Sequence, residues 1–181
     1  MSLDGRPIGE HDFTVSGERG SEEVQSHARF SVKALFVPLY GYVHHDTELW
    51  HGGCLVGMKA HTSENGHESQ VLGTSTSSGF LVAGPRGTTV LPGCVSSFAY
   101  WDRARLEARR LLNAQSGEYE PVALTGQGAE TILSQGHRVG AERYCLAASR
   151  FTIKLWYSSD GRWLALESRT TEGRTLRYEL H

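Results

Sequence analysis

Between Val24 and Ala34 the chain alternates with a period of two. Val24, Ala28, Phe30, Val32 and Ala34 fall on one side, and Gln25, His27, Arg29, Ser31 and Lys33 on the other. Successive side chains of a strand point to opposite faces, so this spacing is that of a half-buried β-strand; a 3.6-residue period would scatter the same apolar set around a helix. The preceding segment, Ile8 to Val15, reads as its partner, joined through Ser16-Gly17-Glu18-Arg19-Gly20. Further strands are expected over Tyr42–Trp50, Cys54–His61, Ser69–Thr74, Phe80–Ala83, Thr88–Leu91, Pro121–Thr125 and Arg143–Ala148. In the second of these, Cys54, Val56, Met58 and Ala60 share a face. Glu64-Asn65-Gly66 marks a tight hairpin, because Asn-Gly accepts the positive φ values such a turn needs. The clearest hairpin joins Phe151–Ser158 to Trp163–Ser168 at Ser159-Asp160-Gly161, and Glu172-Gly173 turns the chain into Thr175–Leu180. This many turns accounts for 21 glycines in 181 residues, well above the usual ~7%.

One stretch breaks the pattern. Trp101, Ala104, Ala108, Leu111 and Leu112 follow helical spacing, and Asp102 is placed to cap the first turn. The expected fold is therefore mainly β: a strongly curved antiparallel sheet, half-barrel or barrel-like meander, with one main helix near 101–113 packed against it. With no internal repeat, linker or low-complexity tract, residues 1–181 read as a single domain.

Composition excludes several function classes. A formal charge of -2 makes no case for a nucleic-acid partner. No run of 18 apolar residues offers a membrane-spanning helix. Three cysteines, Cys54, Cys94 and Cys145, allow one internal disulfide at most, and no CxxC pair suggests zinc. If the protein is exported, Cys54 is expected to pair with Cys94, since each sits near a Gly at a strand edge.

Several segments in consistent order resemble one known group. They are Asp4-Gly5-Arg6-Pro7-Ile8-Gly9-Glu10-His11 with Phe13, Trp50 before Cys54-Leu55, and Leu91-Pro92-Gly93-Cys94-Val95 followed by Ser97-Phe98-Ala99-Tyr100-Trp101. Leu111-Leu112-Asn113 with Gly117, Leu155-Trp156-Tyr157, Trp163 and Leu176-Arg177-Tyr178 complete the set. Together they resemble an uncharacterised bacterial domain-of-unknown-function family of exported β-rich proteins. The resemblance implies a periplasmic or cell-envelope location, with the native signal peptide removed. It transfers no catalytic role. The strand-rich pattern is also similar to the half-barrel folds of periplasmic lipoprotein carriers, an analogy of fold that does not establish function.

Each polar constellation has a plainer reading beside the chemical one. In His44-His45-Asp46-Thr47-Glu48-Leu49-Trp50-His51, alternation puts His44, Asp46 and Glu48 on one face, about 7 Å apart per step of two. A His and a carboxylate there, with His27, His61, His67 or His137 as a third ligand, could form a metal centre with open positions. A solvated strand face explains the same residues. Cys94 has no local base or cation to activate its thiol, and no Gly-x-Ser-x-Gly elbow surrounds any serine. Arg103, Arg105, Arg109 and Arg110 read as the wet side of the helix. In Arg150 to Tyr157 alternation puts Phe151, Ile153 and Leu155 in the core rather than on a nucleic-acid platform.

The aromatic residues Phe36, Tyr40, Tyr42, Trp50, Phe80, Trp101, Trp156 and Trp163 are more than a thin sheet needs on its solvent face. Many belong to an ordinary core. Tyr42, Trp50, Met58, Phe80 and Trp101 are the candidate lining of an apolar groove for a lipid or other apolar small molecule. The functional expectation is a non-enzymatic envelope protein that binds such a ligand in the concavity of the sheet, without a cofactor. Two alternatives stand beside it: a metal-assisted enzyme around His44 and Asp46, and a structural or partner-binding domain without a ligand.

Overall fold

The computed structural model describes residues 1–34 and 37–180, so Phe36 lies outside the described residues. Within them the strands, in chain order, are β1 (Ser2–Leu3), β2 (Arg6–Pro7), β3 (Gly9–Glu18), β4 (Ser21–Ala34), β5 (Val37–His51), β6 (Cys54–Glu64), β7 (His67–Thr76), β8 (Gly79–Gly84) and β9 (Gly87–Leu91). They continue with β10 (Arg110–Leu112), β11 (Tyr119–Ser134), β12 (His137–Ala148), β13 (Thr152–Tyr157), β14 (Trp163–Arg169) and β15 (Thr175–Glu179). All the strand pairings described are antiparallel, and the chain forms two open sheets rather than one. It divides into two compact units, one of Met1–Ile8, Ala99–Arg109 and Glu120–His181, the other of Gly9–Phe98 and Arg110–Tyr119.

The second unit carries a seven-stranded meander in the order β3-β4-β5-β6-β7-β8-β9, each strand pairing with its neighbours in sequence. The alternation that marks β4 sends Val24 and Ala28 inward, and the register continues that row into β6, β7 and β8, where Met58, Ala60, Val71, Phe80 and Val82 are buried. Gly73 on β7 makes the packing possible. A Cβ there would lie 2.5 Å from two ring atoms of Phe80 and 3.3 Å from Cβ of Met58, so the phenyl ring occupies the space a side chain would fill. Turns fall where the sequence supplies positive φ, as at Asn65 and Gly66 (φ 51° and 82°). Cys54 and Cys94 form a disulfide across 40 residues, as the sequence suggests, and the Leu55 N–H donates to the Val95 carbonyl beside it. Cys145 is a free thiol.

In the first unit the strand order is β11-β12-β13-β14-β15-β1-β2. Ile132, Ala141, Trp156, Leu164 and Ala165 pack as its buried cluster. The Trp156 indole N–H donates to Glu130, whose other oxygen receives Arg143 at 3.2 Å. The amino-terminal strand β1 pairs with β15, Leu3 opposite Leu176. Asp4 fixes that junction by accepting from the Thr175 N–H and from Arg174 Nε, both at 2.8 Å. These two donors hold its carboxyl below the usual range.

The expected main helix near 101–113 is absent. Asp102 caps as anticipated, accepting from the Ala104 N–H at 3.0 Å, but it starts only a five-residue 3-10 turn, Arg103–Glu107. Ala108 is extended (φ -61°, ψ 144°), and the chain enters β10. Leu111 and Leu112 are fully buried there, with the Leu112 N–H donating to the Ser96 carbonyl at 2.8 Å. Apolar spacing that suits a helix is met instead by a short turn followed by a strand whose backbone groups find partners in a neighbouring segment. Tertiary pairing outweighs a weak helical propensity.

Candidate ligand-binding site

Four of the five candidate lining residues belong to the seven-stranded unit. Trp50, Met58 and Phe80 are 1%, 4% and 2% exposed, and Tyr42 is half-buried. Met58 and Phe80 meet over Gly73. Trp50 follows a register shift between Leu49 and Trp50, and its indole N–H donates to Glu48 Oε2 at 3.0 Å. Tyr42 lies toward the opposite end of β5, its ring stacked on Phe30 with centroids 4.7 Å apart and its hydroxyl 3.4 Å from Gln115 Oε1. Trp101 belongs to the other unit, where the Arg105 guanidinium lies 4.4 Å from its ring centroid. The site is therefore drawn from the second unit alone.

The expectation that His44, Asp46 and Glu48 form a solvated strand face is overturned. All three are buried. The register sets them opposite Ala28, Ser26 and Val24 on β4 and opposite Thr62, Ala60 and Met58 on β6, so they point to the packed face. The strand's period is right and its polarity inverted: charged residues occupy the inward positions of β5. Sequence gives little warning, because the outward neighbours His45 and Thr47 are polar too.

Each inward polar group is handled differently. His44 Nδ1 lies 2.8 Å from Thr62 Oγ1, and His11 Nε2 lies 2.8 Å from Ser26 Oγ. Burial, reinforced by neighbouring histidines, pushes both imidazoles down to about 4, so they are neutral at pH 7. Asp46 moves the other way. Burial first, then the charge of Glu48 two residues along, raise its carboxyl far above the carboxylate range. Two adjacent buried carboxyls cannot both ionise, so the pair retains a proton, and a hydrogen bond links them. Asp46 Oδ1 is left buried without a hydrogen-bond partner among the described residues.

This arrangement is a poor metal centre. A protonated carboxyl is a weak ligand, and His44 already engages Thr62 through one ring nitrogen. Of the third ligands the sequence suggests, His27 and His61 occupy outward positions of β4 and β6, in register with His45 rather than His44. Among the described residues, no group of three or more His, Cys, Asp or Glu side chains could hold a metal ion. What the arrangement offers is one unmet acceptor oxygen on a face that carries His44, Glu48 and Thr62 beside its apolar residues.

The fold and site thus define an open, two-sheet antiparallel β protein with a carboxyl pair inlaid in one packed face. The chain belongs to the family described as a domain of unknown function, DUF6134, whose model matches residues 1–181. Among solved structures it is similar to a β-barrel-like protein of domain of unknown function DUF1849 from Brucella abortus. The identity is 8%, the TM-score 0.66, and the match covers 95% of this chain and 86% of that one. At that identity the likeness is one of fold. No curated protein matches.

Proposed function

We propose that the chain is a non-enzymatic protein of the periplasm or cell envelope that binds an amphiphilic, lipid-like ligand against the inner face of its seven-stranded sheet. The observation that carries this reading is Asp46 Oδ1, a buried acceptor with no partner among the described residues, on a face that also bears Met58 and Phe80. An unmet buried acceptor costs about 1–3 kcal/mol, and a ligand that donates to it recovers that energy. Because the Asp46–Glu48 pair holds a proton and still carries negative charge, it favours a hydroxyl or amine head and repels a carboxylate. Tyr42, Trp50, Met58 and Phe80 would form the apolar wall. The disulfide Cys54–Cys94 supports an oxidising compartment.

Trp50, Met58 and Phe80 are packed without any ligand, so binding must open this face, and association is expected below the ~10⁵ M⁻¹s⁻¹ of preformed surfaces. A metal-assisted reaction at His44 and Asp46 has less support, for the reasons of protonation and ligation given above. The test compares fluorescent probes of one chain length bearing an amine, a hydroxyl or a carboxylate head, added to wild type and to Asp46→Ala. Saturable binding of the amine and alcohol, weakened at least tenfold by Asp46→Ala, is the expected result. If no probe binds, and native mass spectrometry of protein from its own host finds no co-purifying lipid, the chain is a structural or partner-binding domain instead.

A further inference from the structure

The outer face of the seven-stranded sheet turns apolar toward β9, its last strand. The register lines up Leu49 on β5, Gly57 on β6, Thr74 on β7, Leu81 on β8 and Val90 on β9. The next outward row is Thr47, Lys59, Leu72, Ala83 and Thr88. Leu49, Leu72 and Val90 are 44%, 44% and 46% exposed, large apolar side chains left facing water on one surface. The edge of β9 is open as well. Its two-residue turn, Pro85-Arg86, makes Gly84 and Gly87 a hydrogen-bonded pair, and bonded and non-bonded pairs alternate from there. Thr89 and Leu91 therefore bond to β8, while the N–H and C=O groups of Thr88 and Val90 point away from it. Among the described residues no backbone group answers them, and Gly87 to Val90 are all exposed.

We propose that β9 pairs antiparallel with β9 of a second copy of this chain, about a two-fold axis at Thr89. Thr88 of one copy then meets Val90 of the other, and their outward N–H and C=O groups bond to each other. On the outer face, Leu81 and Val90 of one copy run on into Thr88, Ala83 and Leu72 of the other, so two apolar patches become one. The strand has none of the charges or bulges that usually keep edges apart. Arg86, in the turn that begins it, is paired with Glu118. The opposite end of the sheet differs, since β3 carries Glu10, Asp12 and Glu18. Self-pairing through β9 keeps those acidic strands apart: β3 lies six strand spacings away, about 29 Å along the sheet at ~4.8 Å each. Ionic screening acts over only about 8 Å. Pairing β9 with β3 of another copy would instead leave open edges and grow a filament, whereas the two-fold arrangement closes on itself. Five residues a side make a weak dimer, and it uses the outer face and the edge rather than Asp46, Met58 or Phe80.

Sedimentation velocity of the untagged full chain over a concentration series, with the disulfide intact, tests this directly. A reversible equilibrium between monomer and dimer is expected. Val90→Lys places two ammonium groups diagonally across the axis, about 7–8 Å apart at Cβ, and is expected to weaken dimerisation at least tenfold. Val15→Lys, at a site 50% exposed on β3, is expected to change nothing. Urea midpoints of both variants show that each is folded. Thr89→Cys in a Cys145→Ser background reads the register: facing thiols on a non-hydrogen-bonded pair, with Cα atoms about 4.5 Å apart, are expected to be joined by a short bis-maleimide. A wild type that stays monomeric to about 100 µM overturns the proposal. So does growth beyond a dimer, a dimer that Val90→Lys leaves intact, or a Thr89→Cys dimer that is not cross-linked.

Discussion

Replacing Asp46 by Asn keeps the shape of the side chain and removes its titration, and it should stabilise the protein in a pH-dependent way. In the unfolded chain Asp46 ionises near its ordinary value of 3.8. In the folded chain, burial and Glu48 keep the proton on well above that value. A group whose folded pKa is raised contributes fully below the unfolded pKa and loses that contribution as pH rises. Each pH unit above 3.8 therefore costs wild type about 1.4 kcal/mol for one retained proton, which sets a ceiling of roughly 4 kcal/mol at pH 7. The amide introduced by Asp46→Asn can still donate to Glu48 and leaves the single charge of the pair unchanged, so a gain up to that ceiling of roughly 4 kcal/mol is expected. Urea midpoints of wild type and variant, with the disulfide intact, should coincide near pH 4 and diverge in favour of the variant toward pH 7.5. Because every other titrating group is common to both proteins, the difference isolates the carboxyl pair. A variant that is less stable at pH 7.5, or a difference that does not grow with pH, would falsify the retained proton.

Four further expectations follow from the packing and its charges. Depressed to about 4, His11 and His44 let the unfolded state take up protons first, so wild-type stability should fall as pH drops from 6.5 to 4, and His44→Gln should flatten that slope in the same urea series. Gly73→Ala drives a methyl into the Phe80 ring and should cost about 1–3 kcal/mol by denaturant midpoint, with Gly73→Ala/Phe80→Leu recovering part of it. Trp50→Ala, at a site 1% exposed, should cost the ~3–5 kcal/mol of a packed aromatic; a loss under ~1 kcal/mol would mean that the ring lines an open groove. Reducing Cys54–Cys94 frees a 40-residue loop and should lower stability by about 4 kcal/mol in the chain-entropy account, read as a shift in melting temperature with and without reductant.

Strands are legible in the sequence where one face is apolar. Val24 and Ala28, the Asn65-Gly66 turn and the hairpin from Thr152 to Arg169 follow directly from period and turn chemistry. Lengths are less legible: β11 and β12 run to Ser134 and Ala148 from starts at Tyr119 and His137, yet only Pro121–Thr125 and Arg143–Ala148 announce themselves. The reason is composition, since Gly126, Gly128 and Gly140 blunt the alternation while the ladder continues through a register shift between Gly126 and Gly128. The helix fails because five apolar residues at helical spacing say nothing of the backbone partner that Ser96 offers to Leu112. At the site, alternation correctly puts His44, Asp46 and Glu48 on one face, but which face is a property of β4 and β6. His27, His45 and His61 come into register across three strands, a juxtaposition with no signature within any one of them.

The pairing of β1 with β15 has a consequence for how the molecule is made. Ser2 and Leu3 are synthesised long before their partners Arg177 and Leu176. Every strand of the seven-stranded meander, by contrast, bonds only to its neighbours in sequence, and the last of them ends at Leu91. Local pairings form early and distant ones late, because a long loop must close first. The meander can therefore zip up while the other sheet still lacks β12 to β15, and β1 waits for its partner until β15 has been made. An exposed strand in search of an edge is a site for mispairing. A chain lacking β15 would present β1 and β14 as open edges, and β15 is the clasp that retires both.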